Sequence, residues 1–127
     1  MTVRVLIVDD QKPFRSAART VVTLTPDFEV IGEAESGEEA VEKAVELQPD
    51  LVLMDINLPG INGVEAVRQI KAARAETMAF LLSTYSQSDL PSDARSSGAA
   101  AYIHKEDFGP DILSDLWAAG GDPEWAA

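Results

Sequence analysis

Two stretches of this chain stay apolar and largely β-branched or leucine-rich along their length, then run into aspartate. Val3 to Val8 is followed by Asp9 and Asp10, and Leu51 to Met54 by Asp55. Apolar runs of this kind read as interior strands of a parallel sheet, covered on both faces. Carboxylates at the ends of such strands gather at one edge of the sheet, where open α/β folds place their ligands. Like charges brought that close repel unless a cation sits among them. The cluster therefore implies a hard divalent metal, Mg²⁺, and chemistry on phosphate.

Strand-like and helix-like patterns alternate through the rest of the chain, which predicts βαβ units and a mostly parallel sheet. After the first strand, a helix starts near Pro13 with Phe14, Ala17, Ala18, Val21 and Val22 on its apolar face. Thr25-Pro26-Asp27 breaks it. Phe28 to Ala34 is more mixed and reads as an edge strand. Ser36-Gly37 opens a second helix, with Ala40, Val41, Ala44, Val45 and Leu47 inward and Pro49 closing it. A turn-rich loop from Asn57 to Gly63 follows the third strand. The third helix then turns Ala66, Val67, Ile70 and Ala73 inward. Met78 to Leu82 is a fourth strand, and Ala99 to Ile103 a fifth. Between them, Ser83 to Gly98 reads as a short, weakly held helix anchored by Leu90 and Ala94. A last helix from about Asp107 carries Phe108, Ile112, Leu113, Leu116 and Trp117. The pattern predicts one domain over residues 1–119 and a frayed tail over 120–127.

Composition narrows the function. Of 127 residues, 10 are Lys or Arg and 22 are Asp or Glu, a net charge of −12. A surface this acidic argues against direct nucleic-acid binding by the domain. The absence of cysteine removes disulfides and thiolate chemistry and suits a cytoplasmic protein. No stretch reaches the length of a membrane span, and the first apolar run is too short for a signal peptide.

Five positions together carry a resemblance. They are the acidic pair Asp9-Asp10, Asp55 in Asp55-Ile56-Asn57-Leu58-Pro59-Gly60, Ser83 at the end of the fourth strand, Lys105 at the end of the fifth, and Tyr102 just before it. The set resembles the receiver domain of two-component response regulators, and the separations from Asp10 to Asp55 and from Asp55 to Ser83 and Lys105 fit that family. The resemblance implies a flavodoxin-like (βα)5 three-layer sandwich with parallel strand order 2-1-3-4-5, an order taken from the family. It implies that Asp55 accepts a phosphoryl group from a sensor histidine kinase. Mg²⁺ would be held by Asp10, Asp55 and the backbone carbonyl of Asn57, with Asp9 acting through water. Lys105 would supply a cation to the phosphoryl group and Asp55, and Ser83 a hydrogen bond. Ser83 and Tyr102 would form a switch that changes the face built from the fourth helix, fifth strand and fifth helix. A downstream protein or output domain would read that face, and a homodimer is a further use of it. The chain would act on no substrate beyond its own aspartate.

Each residue also has an ordinary reading. Asp10 alone is a helix N-cap, Lys105 a solvated lysine, and Tyr102 a packed core ring. Thr84 competes with Ser83 for the strand end. His104, the sole histidine, reads as a partly exposed strand residue. Many receivers have proline after the lysine in a cis bond, whereas Glu106 stands here and predicts a trans one. Lys105-Glu106-Asp107 is closer to receivers that carry a LuxR-like helix-turn-helix output. The alternative function is thus the receiver portion of a DNA-binding transcriptional regulator. Tyr85, two residues past Ser83, predicts a long-lived phosphoryl group by hindering in-line water. An aspartyl-phosphate phosphatase would need Asp-x-Asp after the first strand, and a flavodoxin would need a hydroxyl- and Gly-rich loop there. Asp9-Asp10-Gln11-Lys12 supplies neither.

Overall fold

In the computed structural model, which describes residues 2–84 and 93–121, five parallel strands form one sheet. In chain order the elements are β1 (Val3–Val8), α1 (Lys12–Leu24), β2 (Phe28–Ala34), α2 (Gly37–Leu47), β3 (Leu51–Asp55), α3 (Gly63–Ala73), β4 (Met78–Ser83), β5 (Ala101–His104) and α4 (Pro110–Ala119). Short 3₁₀ turns at Arg95–Ser97 and Lys105–Asp107 flank β5. The strand order is β2-β1-β3-β4-β5, as the family resemblance implies, with β2 at an edge.

Period-two alternation along the inner strands divides the core into two layers. Leu6, Val8, Val52, Met54, Ala79 and Leu81 pack with Ala40, Ala44, Val64, Val67 and Ile70 of α2 and α3. Val5, Ile7, Leu51, Leu53, Phe80, Leu82 and Ile103 pack on the opposite face with Ala18, Val22 and Leu113 of α1 and α4. Because every residue of β3 is buried, its run shows no polar alternation in sequence. The register β1 to β3 to β4 to β5 brings Val8, Met54, Leu81 and Tyr102 into one row. The segments that follow this row share one edge, where the site lies.

Helix ends are set by named groups. The Ser36 side chain accepts from the Glu39 amide and Asn62 from the Glu65 amide, each capping the helix that follows. The Arg4 guanidinium donates to the carbonyls of Leu47 and Gln48 and closes α2 against β1.

Several expectations need correction. The last helix begins at Pro110 rather than near Asp107, because Lys105–Asp107 form a 3₁₀ turn and Phe108 and Gly109 are extended. The fifth strand starts at Ala101, two residues later than expected, after a left-handed turn at Gly98. Ala17, Val45 and Ala73 face outward. Val45 is 52% exposed, since a helix on one sheet face buries a narrower stripe than the apolar residues available to it. The helix expected after Ser83 falls largely on residues 85–92, outside the described residues, with Leu90 and Tyr85 among them; Ala94 is buried. The described peptide bonds are all trans, including those flanking Lys105. Among the described residues, no helix is long and apolar enough to cross a membrane.

Candidate functional site

Asp9 directly follows β1 in full burial. Its amide donates to the Ala34 carbonyl, so the residue continues the pairing of β1 with β2. One carboxylate oxygen accepts from the Gln11 amide at 2.8 Å, and the other accepts from Lys105 Nζ at 2.7 Å. Asp10 is exposed and lines the cleft above. It does not cap α1: Gln11 occupies that position and makes no side-chain cap. Asp55 ends β3 at 5% exposure, its Oδ1 facing Lys105 Nζ at 3.4 Å and accepting a long bond from the Asn57 amide at 3.4 Å. Lys105 therefore bridges two carboxylates and lies closer to Asp9 than to Asp55. Its ammonium also sits 4.3 Å from the centre of the Phe14 ring.

Oxygens of Asp9, Asp10 and Asp55 lie within 4.8 Å of one another. A cleft of about 230 Å³, lined by Asp10, Gln11, Asp55, Asn57, Thr84 and Lys105, opens over them. Burial, and then the neighbouring Asp9 charge, raise the Asp55 carboxyl from 3.8 to about 6, against the opposing pull of Lys105 and the Asn57 amide. One ammonium does not balance three carboxylates. The donors are all hard oxygens, so the set fits a divalent cation of the Mg²⁺ type, whose charge would remove the remaining repulsion.

Ser83 is the buried last residue of β4, as the spacing predicts, and Thr84 lies exposed beyond it. The Tyr102 hydroxyl donates to the Ser83 backbone carbonyl at 3.1 Å, with its ring in the core layer beneath α2 and α3. The switch candidate is thus already inside, and burial raises its phenol pKa.

Sequence reading missed three participants. Arg15 is 9% exposed; it donates to the Asp9 carbonyl at 2.8 Å and to Glu33 at 3.0 Å. Burial would raise the Glu33 carboxyl, yet the Arg19 and Arg15 bonds outweigh it and hold the group low. The signal for Arg15 was present, because Arg15, Ala18 and Val22 share one helical stripe. Phe14 appeared as core, without its contact to the lysine. His104 makes two backbone hydrogen bonds that no pattern in the sequence announces.

A parallel sheet in this order, with an acidic cluster faced by a lysine at its carboxyl edge, is the arrangement of a receiver fold. The chain belongs to the response regulator receiver domain family, whose sequence pattern matches residues 5–116. It is 35% identical over 123 residues to the transcriptional regulatory protein LiaR of Bacillus subtilis, covering 96% of this chain and 58% of that one. It is 32% identical over 119 residues to the nitrate/nitrite response regulator protein NarL of Escherichia coli, covering 93% of this chain and 55% of NarL. The chain spans about half the length of these curated relatives. A crystal structure of a LuxR-family two-component response regulator from Aurantimonas superposes with a TM-score of 0.86 at 30% identity, covering 99% of this chain and 94% of that one.

Proposed function

We propose that Asp55 takes a phosphoryl group from the phosphohistidine of a sensor histidine kinase and that the modification switches a protein-contact face. The observation that carries this reading is the meeting of Asp55, Asp9, Asp10 and Lys105 in one open cleft, drawn from three strand ends. A carboxylate oxygen of Asp55 attacks phosphorus in line, forming the acyl phosphate as the P–N bond of the donor breaks. The electron pair stays on the imidazole nitrogen. Lys105 neutralises developing charge on a phosphoryl oxygen, and the Ser83 hydroxyl donates to another. Asp10, Asp55 and the Asn57 carbonyl would hold Mg²⁺, with Asp9 through water, and the ion supplies charge neutralisation at the phosphoryl oxygens.

The hydroxyl's move toward the phosphoryl group acts on Tyr102 through the Ser83 carbonyl that Tyr102 binds. It thereby changes the surface around β5 and α4, where a downstream protein, an output domain or a second copy would dock. The chain catalyses only its own phosphorylation and dephosphorylation, and works in the cytoplasm. A second reading, the receiver portion of a DNA-binding transcriptional regulator, draws on the relatives named as transcriptional regulators, which are about twice as long. The domain itself, at net charge −12, is left to signal rather than to hold DNA.

Intact-protein mass after incubation with acetyl phosphate and Mg²⁺ tests the chemistry. A single phosphoryl adduct that requires the metal and disappears in Asp55→Asn is expected. No adduct on the unaltered chain, with beryllofluoride also failing to bind, would overturn the reading.

A further inference from the structure

We propose that His104 is a positioning residue that ties the strand end carrying Ser83 to the turn carrying Lys105. The inference rests on the phosphoacceptor reading above. His104 ends β5, paired in register with Ser83 at the end of β4. Its Nδ1 lies 3.2 Å from the Glu106 amide nitrogen, and its Nε2 lies 2.9 Å from the Thr84 carbonyl oxygen. Both partners are backbone groups with fixed roles: the amide only donates and the carbonyl only accepts. Nδ1 must therefore present its lone pair and Nε2 must carry the hydrogen, which is a single neutral tautomer.

The two anchor points are the residues next to the site's hydroxyl and next to its cation. Thr84 follows Ser83, and Glu106 follows Lys105. The Glu106 bond also makes His104 the N-cap of the 3₁₀ turn that presents the lysine. A proline in place of Glu106 would fix the backbone there through its ring but would have no amide to donate. Here the amide is present and the imidazole uses it, so the turn is held by a side chain that also grips β4. When the Ser83 hydroxyl turns toward a phosphoryl oxygen, displacement at Thr84 passes through the ring to the Lys105 turn. The hydroxyl donor and the cation then close on the phosphoryl group together.

The test is the rate of phosphorylation by acetyl phosphate with saturating Mg²⁺ for the unaltered chain, His104→Leu and His104→Asn, each with and without Ser83→Ala. His104→Leu is expected to slow the reaction about tenfold where Ser83 is present and less than about twofold in the Ser83→Ala background. His104→Asn retains a cap acceptor for Glu106 but is too short to span to Thr84, and is expected to fall between. If His104→Leu fails to fold, the Asn variant carries the same comparison. Equal slowing in both backgrounds, or full rates in the His104 variants, would overturn the coupling. The imidazole nitrogen shifts of this sole histidine give an independent reading at neutral pH, where an Nδ1–H tautomer would also overturn it. A normal unaltered chain with indifferent His104 variants removes this inference alone. An unaltered chain that takes no phosphoryl group removes the phosphoacceptor reading with it.

Discussion

Asp55 is held where its ionised form is disfavoured, and that has a sign and a size. Its carboxyl titrates at about 6 in the folded chain against 3.8 ordinarily, because burial and Asp9 oppose the charge more than Lys105 supports it. Between those two values the folded state binds more protons than the unfolded one, so stability falls as pH rises through this window. Below about pH 4 both states are protonated and no penalty remains; above the folded value the penalty is complete, about 2–3 kcal/mol. In chelator, Asp55→Asn is therefore expected to be more stable than the unaltered chain by about 2 kcal/mol at pH 7.5, with the gain fading toward pH 4. Denaturant unfolding across that range measures it; a gain independent of pH would mean that ionisation is not its source. Arg15 belongs at this scale too. By binding the carbonyl between Asp9 and Asp10, it fixes the peptide from which the exposed carboxylate projects.

At the scale of elements, the start of α3 is pressed against the end of β3. A Cβ on Gly63 would lie 2.0 Å from the Asp55 carbonyl oxygen and 2.9 Å from the Ile56 Cα, and the Gly63 amide donates to the Ile56 carbonyl at 2.8 Å. Helix propensity alone would have Gly63→Ala stabilise by up to about 1 kcal/mol, whereas overpacking against backbone costs about 1–3 kcal/mol or more. The contact is too short to relieve without moving Asp55, so the net expectation is destabilisation by about 2 kcal/mol together with slower adduct formation. Stability at or above that of the unaltered chain would show that α3 shifts freely. Elements were legible in the sequence where periodicity was strong. Runs such as Leu51 to Met54 and the stripe Ala66, Val67, Ile70 announced themselves. The route from β5 to α4 did not, because a 3₁₀ turn capped by an imidazole has no hydropathy period, and only Pro110 marked the true helix start. The five candidate positions stand out as a set in the sequence, since each lies at or near the end of a strand. Of the groups around them, Arg15 had a signal in the stripe it shares with Ala18 and Val22, whereas the contacts of Phe14 and His104 rest on distances that no spacing rule encodes.

At the scale of the whole chain, the charge of −12 is spread over 127 residues and opposes compaction. Raising NaCl from about 20 to 200 mM shortens the reach of that repulsion and is expected to raise the thermal midpoint by about 3 °C. A midpoint that falls with salt would show instead that local pairs such as Arg19–Glu33, at 2.6 Å, dominate the electrostatics. The contact of Lys105 with Asp9 has a different bearing, because it joins groups 96 positions apart. A polypeptide is made from its amino end, so Asp55 and both companion acids leave the ribosome well before the lysine that faces them. A nascent chain carrying β1 through β4 has an aspartate without its lysine. On the phosphoacceptor reading, competence to receive a signal therefore waits until Lys105 has been made, and ribosome-bound chains stopped before β5 are expected to stay silent to the kinase.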